Sequence, residues 1–184
     1  MHPKFHIPSV LLFCLALAPH AAAQTCREVV RDASGRIVQT IERHPQAEGT
    51  ERLVIRDASG RITGTGNTTA TTAGGSTTIY RDASGRITGT ASTHGGSSGP
   101  SQTTFRSADG RITGSASTNS TGHGSQTTFR DSSGRITGSQ HARGNGTATS
   151  TRRDASGRIT GTSTGSGACA TDRSTAVPPS GVAP

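Results

Sequence analysis

The sequence has no tryptophan, one tyrosine, four phenylalanines and one methionine, and aromatics make up 3% of its 184 residues. Hydrophobic residues reach 28%, where soluble domains carry nearly half. That shortage excludes an ordinary compact enzyme built on a large apolar core, a helical membrane bundle and a coiled coil. Lysine is also missing, apart from Lys4. No GxSxG, HExxH or P-loop occurs, so no catalytic residues are expected and no cofactor is implied. The chain is instead rich in glycine (25 residues), serine, threonine and arginine, with a net charge of +8.

The N-terminus has the marks of an export signal. Val10 to Ala18 is a short apolar run, too short to span a bilayer, and Ala21-Ala22-Ala23 is an A-x-A cleavage site. Residues 1–23 are expected to be a signal peptide. Gln24 and Thr25 are bulkier than a lipobox allows, which disfavours acylation of Cys26. After cleavage Cys26 and Cys169 remain. An even pair in an exported chain predicts one disulfide, joining the start of the remaining chain to its end. The cysteine spacing fits no metal motif. His44, His94, His123 and His141 stand singly and read as solvated rather than ligating.

Residues 24–170 are six copies of one unit. RDASGRI begins at Arg31, Arg56, Arg81 and Arg153, RSADGRI at Arg106 and RDSSGRI at Arg130. The starts are 25, 25, 25, 24 and 23 residues apart, a period that marks a repeat architecture. Asp57-Ala58-Ser59-Gly60 has Asp first and Gly fourth, the signature of a type I turn. The flanks are Thr, β-branched or aromatic, which favours strands. Each unit is therefore predicted to be a β-hairpin, giving an all-β chain of up to about twelve antiparallel strands. One bound aspartate per turn lacks the further oxygens of a calcium loop, so turn capping is the expected role.

Two registers are open. Pairing Asp57 with Gly60 sets Arg56 opposite Arg61 and Ile55 opposite Ile62. It likewise sets Tyr80 opposite Ile87, Phe105 opposite Ile112 and Phe129 opposite Ile136, and is preferred because it gathers an apolar face. A three-residue loop with a Gly bulge sets Asp57 opposite Arg61 and splits those pairs. Single hairpins are too poor in apolar residues to stand alone. They are expected to stack as an antiparallel meander or a β-solenoid, the rival being a disordered Ser/Thr/Gly-rich chain. Val38 to Val54 and the sixth unit, with Arg152 in place of the aromatic, are expected to cap the array. Residues 171–184 read as a flexible tail.

The string Tyr80-Arg81-Asp82-Ala83-Ser84-Gly85-Arg86-Ile87 resembles the YD repeats of Rhs-type bacterial surface and toxin proteins. Their unit is Tyr-Asp, two residues, Gly-Arg and an aliphatic; here Arg81 stands between aromatic and aspartate. The similarity covers about eight residues per unit over most of the chain after the signal. It implies an exported bacterial β-repeat scaffold and no activity of its own.

Three features remain for binding. After residue 23 the chain has 18 arginines against 11 acidic residues. Paired arginines at each turn suit phosphate, sulfate or carboxylate. The candidate residues are Arg56, Arg61, Arg81, Arg86, Arg106, Arg111, Arg130 and Arg135, expected to align as a stripe. Thr63-Gly64-Thr65 and its equivalents could form a flat ice-binding array, though β-propensity is the simpler account. Open edge strands could pair with other copies. The leading expectation is a periplasmic or secreted protein with a structural or adhesive role at the cell envelope or outside it, without catalysis or a membrane span. Its partners would be an envelope or extracellular polyanion, a protein, or further copies of itself, and not genomic nucleic acid. The alternative is a module binding polyanionic glycan or lipopolysaccharide through the arginines.

Overall fold

The structure, a computed structural model, describes residues 25–46, 49–72, 74–95, 99–121, 124–145 and 147–166. The expected signal peptide, Cys169 and the tail lie outside the described residues, as does His123. The described residues form twelve β-strands and no α-helix. They are β1 (Cys26–Asp32), β2 (Ile37–Pro45), β3 (Thr50–Asp57), β4 (Ile62–Ala70), β5 (Ser76–Asp82) and β6 (Ile87–Gly95). The second half comprises β7 (Ser101–Ser107), β8 (Ile112–Thr121), β9 (Gly124–Asp131), β10 (Ile136–Asn145), β11 (Thr147–Asp154) and β12 (Ile159–Ser166). Every strand is antiparallel to its sequence neighbours, as the repeat predicts.

The array is neither an open meander nor a solenoid: β1 pairs with β12, from Arg27 opposite Ser166 to Asp32 opposite Gly161, and the sheet closes into a barrel. The first and last units are therefore not caps but neighbours. Curvature comes from six equivalent bulges, one per hairpin, such as those between Val30 and Arg31, Ile55 and Arg56, and Phe105 and Arg106. Bulges sharpen local twist, and repeating one at the same level lets a sheet coil shut.

The preferred register is corrected. Asp57 N–H donates to the Arg61 carbonyl (2.9 Å) and Gly60 N–H to the Asp57 carbonyl (3.0 Å). The loop is thus three residues long, with Gly60 at φ +85°. A type I turn alone splays strands against their natural twist, and a left-handed residue after it restores the match. Arg56 consequently faces Ile62, and Ile55 faces Gly64. The isoleucines after the turns are not core. Ile37, Ile62, Ile87, Ile112, Ile136 and Ile159 are 42–49% exposed.

The interior solves its shortage of apolar residues by setting each of its three aromatic side chains between small ones. Phe105 faces Ala91 on one side and Gly114 on the other; Phe129 faces Ala116 and Gly138; Tyr80 faces Gly66 and Gly89. These five (Tyr80, Ala91, Phe105, Ala116, Phe129) form one buried cluster, and Val30, Ile41 and Leu53 form another. Gly114 has a second reason to lack a side chain, since a Cβ there would stand 2.5 Å from the Arg130 carbonyl oxygen of the next unit. Further along the same inward face, hydroxyls pair across strands: Thr68 with Thr78 (2.8 Å), Thr93 with Thr103 (2.9 Å), Thr118 with Thr127 (2.9 Å) and Ser150 with Ser163 (2.7 Å). Such pairs satisfy polar groups that burial would otherwise leave stranded.

Candidate functional site

All six Asp/Gly turns join an odd strand to the following even strand. In an up-and-down barrel they must lie at one end. The twelve arginines that flank them form a rim. The expected stripe is therefore a ring, and it holds all eight candidates: Arg56, Arg61, Arg81, Arg86, Arg106, Arg111, Arg130 and Arg135. Arg31, Arg36, Arg153 and Arg158, at the ends of the sequence array and left out of the candidate set, complete it once β1 meets β12. The signal for them was already in the first and last RDASGR strings.

The turn consumes its own aspartate. Asp57 Oδ1 accepts from Ser59 N–H (2.9 Å), Ser59 Oγ (2.7 Å) and Arg61 N–H (3.0 Å). Asp32, Asp82 and Asp154 repeat the arrangement. The fourth unit exchanges the two roles, with Ser107 in the aspartate position and Asp109 in the serine position, and keeps their hydroxyl–carboxylate bond. The serine hydroxyl, followed by the arginine backbone N–H, holds the Asp57 carboxyl below the usual carboxylate value; Asp32, Asp82, Asp109 and Asp154 are lowered likewise. Capping is thus what each of these aspartates does.

The two arginines of each turn differ. The first folds back over the loop: Nη1 of Arg31, Arg56, Arg81, Arg106, Arg130 and Arg153 donates to the carbonyl of Gly35, Gly60, Gly85, Gly110, Gly134 and Gly157 at 2.8–3.0 Å. The second is anchored by its backbone and exposed at its side chain. Among the described residues two ion pairs reach the ring, Arg111 Nε to Asp109 (3.5 Å) and Arg56 Nε to Glu42 (3.6 Å). Twelve arginines against six aspartates leave a surplus of six positive charges at this end, out of +8 for the whole chain.

A second polar group lies in the interior, unforeseen in the sequence. Arg43 Nη1 meets Glu51 Oε1 at 3.1 Å, with 8% and 20% of their side chains exposed. Nearby, the Tyr80 hydroxyl is buried beside Thr78, with no hydrogen bond of good geometry among the described residues. Burial pushes its phenol up to about 12, Arg43 opposing and Glu51 adding to the shift. Arg152, in the position that the aromatics occupy in other units, donates to Gln140 Oε1 (3.1 Å), and desolvation lowers its pKa against the pull of Glu28. Among the described residues no group of three or more His, Cys, Asp or Glu stands close enough to hold a metal.

The outer wall of β6 to β9 carries Thr90, Ser92, Gln102, Thr104, Ser115, Ser117, Gln126 and Thr128. A membrane-spanning barrel instead presents an outward apolar band. No helix among the described residues is long and apolar enough to cross a membrane. No family model matches the chain, and no curated protein matches it.

Proposed function

We propose that this is an exported, non-catalytic β-barrel that binds a polyanionic partner of the cell envelope or extracellular space through its arginine rim. The observation that carries the reading is the division of labour in each turn. The aspartate is engaged by the loop, so the second arginine, except Arg111 with its contact to Asp109, keeps its side-chain donors for a phosphate, sulfate or carboxylate. Six such arginines on one ring act together on a repeating anion. Assembly through open strand edges loses its basis, because a closed barrel exposes none. Export is supported by the signal-like residues 1–23 and by the cysteines. Cys26 is disulfide-bonded, and we assign Cys169 as its partner. Arg27 faces Ser166, so Cys169 follows within three residues of the seam, where a bond would weld the ring.

Heparin chromatography with a salt gradient tests the reading. Arg61, Arg86, Arg111 and Arg135 are changed together to glutamine. The parent should be retained and released steeply by salt, and the variant should elute much earlier with an unchanged melting curve. Equal elution of both would make the rim an ordinary solvated surface.

A further inference from the structure

We infer that the polyanion is an anionic lipid surface, on which the barrel stands with its arginine end down. The inference rests on the rim reading above and narrows it. Its basis is the partner of each first arginine across the strand pair. Arg31 faces Ile37, Arg56 faces Ile62, Arg81 faces Ile87, Arg106 faces Ile112, Arg130 faces Ile136 and Arg153 faces Ile159. Directly opposed residues share a face, so arginine and isoleucine alternate around the outside of the rim, six times each. All six isoleucines are 42–49% exposed, and Val38 beside Ile37 is 39% exposed.

Folding does not call for isoleucine here. The side chains are outside the core, and the outer positions farther along β6 to β9 use Thr, Ser, Gln, Asn and His instead. Threonine would satisfy strand propensity equally well. A hydrated glycan or a nucleic acid would also gain little from six half-exposed aliphatic groups. A lipid surface uses both kinds of side chain, since phosphate meets the guanidinium groups that the second arginines add to the rim while the aliphatic group beside them enters the acyl boundary. The dimensions agree. The isoleucine is level with the first arginine, which lies two residues before the Ala-Ser tip of its turn, or about 7 Å at roughly 3.3 Å per residue. Interfacial elements are buried to about 5–10 Å. Five of the tips are Ala, Ser and Gly, small enough to pass between headgroups; the fourth is Ala108-Asp109-Gly110, whose carboxylate is held by Ser107 and Arg111.

The test uses sedimentation with vesicles of phosphatidylglycerol and phosphatidylcholine, with phosphatidylcholine vesicles alone as control and heparin elution measured in parallel. Ile62, Ile87, Ile112 and Ile136 are changed together to threonine, which keeps the branched strand former; melting curves report the fold. The parent should sediment with the anionic vesicles only, and should stay bound at a salt concentration that strips it from heparin. The threonine variant should partition about tenfold more weakly, with heparin elution unmoved. Undiminished vesicle binding by that variant, or heparin retention by a parent that ignores vesicles, would overturn the lipid assignment and leave the rim reading standing. A parent that binds neither would end both. A lipid-free dimer of the parent that the threonine variant cannot form would reassign the isoleucine band to a second copy of the chain.

Discussion

Replacing Phe105 and Ile112 one at a time by alanine separates the two registers the sequence allows. In the observed fold Phe105 is 5% exposed, set between Ala91 and Gly114, while Ile112 is 49% exposed on the outer wall. Neither Ala91 nor Gly114 can move a side chain into the space a phenyl ring leaves. Phe105→Ala should therefore cost about 3–5 kcal/mol, the range for an aromatic removed from a core that cannot collapse. Ile112→Ala removes a side chain already half in water and should cost about 1 kcal/mol, half of a full burial. At roughly 2–4 °C per kcal/mol for a chain of this size, the melting temperature should fall by about 6–20 °C for the first and about 2–4 °C for the second. Far-UV circular dichroism during heating, with urea titration to obtain the free energies, measures both. Under the two-residue loop the pair would be cross-strand partners in one core. Comparable losses from the two variants would therefore refute the three-residue loop.

Gly114→Ala should destabilise more than Gly110→Ala: the first brings a Cβ to 2.5 Å from a backbone carbonyl, whereas the second meets open space and only the strain of φ +85°, about 1–2 kcal/mol; urea midpoints rank them. The melting temperature should hold from pH 7 to about 4 and fall below that. The lowered carboxyls of Asp32, Asp57, Asp82, Asp109 and Asp154 stabilise the fold above their unfolded value of about 3.9 and lose that contribution as pH drops through their folded values. A decline beginning near neutrality would exclude them as the cause. Tyr80 is the chain's one tyrosine, so tyrosinate absorbance reports it alone: ionisation should appear near pH 12 in the folded barrel and near 10 in urea. Its contribution is present below pH 10 and lost as pH rises through 12. Arg81→Gln, which deletes the 2.9 Å bond to the Gly85 carbonyl, should lower the melting temperature by a few degrees, while Arg86→Gln should leave it unchanged and advance heparin elution instead.

Hairpins, strand number and the role of the aspartates were legible because each depends on a short string, RDASGRI in four units and a close variant in two. The observed register differs by one residue from the one that the apolar pattern favours. The fourth-position glycine carried the correct signal, since a type I turn needs a left-handed residue after it to follow strand twist. The two-residue loop is favoured only if an aromatic needs a large apolar partner. Phe105 has Ala91 and Gly114 instead, because small neighbours let a ring fill the space of three positions. Closure was harder to read. It depends on Arg27 finding Ser166 across nearly the whole chain, a pairing no local pattern encodes. The buried Arg43–Glu51 pair was invisible for the same reason, its partners being defined by inward facing in a barrel whose existence was not foreseen.

One seven-residue motif thus serves both fold and surface, and the division runs between its two arginines. The first and the aspartate spend their hydrogen bonds on the loop, which fixes the bulge, the twist and so the closure. Closure in turn brings all six loops to one end, and the second arginine, committed through its backbone and in Arg111 alone also to Asp109 among the described residues, inherits a position on a charged ring. The isoleucine that follows is forced outward by the same bulge that sends the preceding aromatic inward. An amphiphilic rim is therefore a consequence of the register, and each added copy of the motif extended core and rim together. A slip to the two-residue loop would undo both at once, burying the isoleucines and placing like charges of Arg56 and Arg61 face to face, which strand pairing penalises.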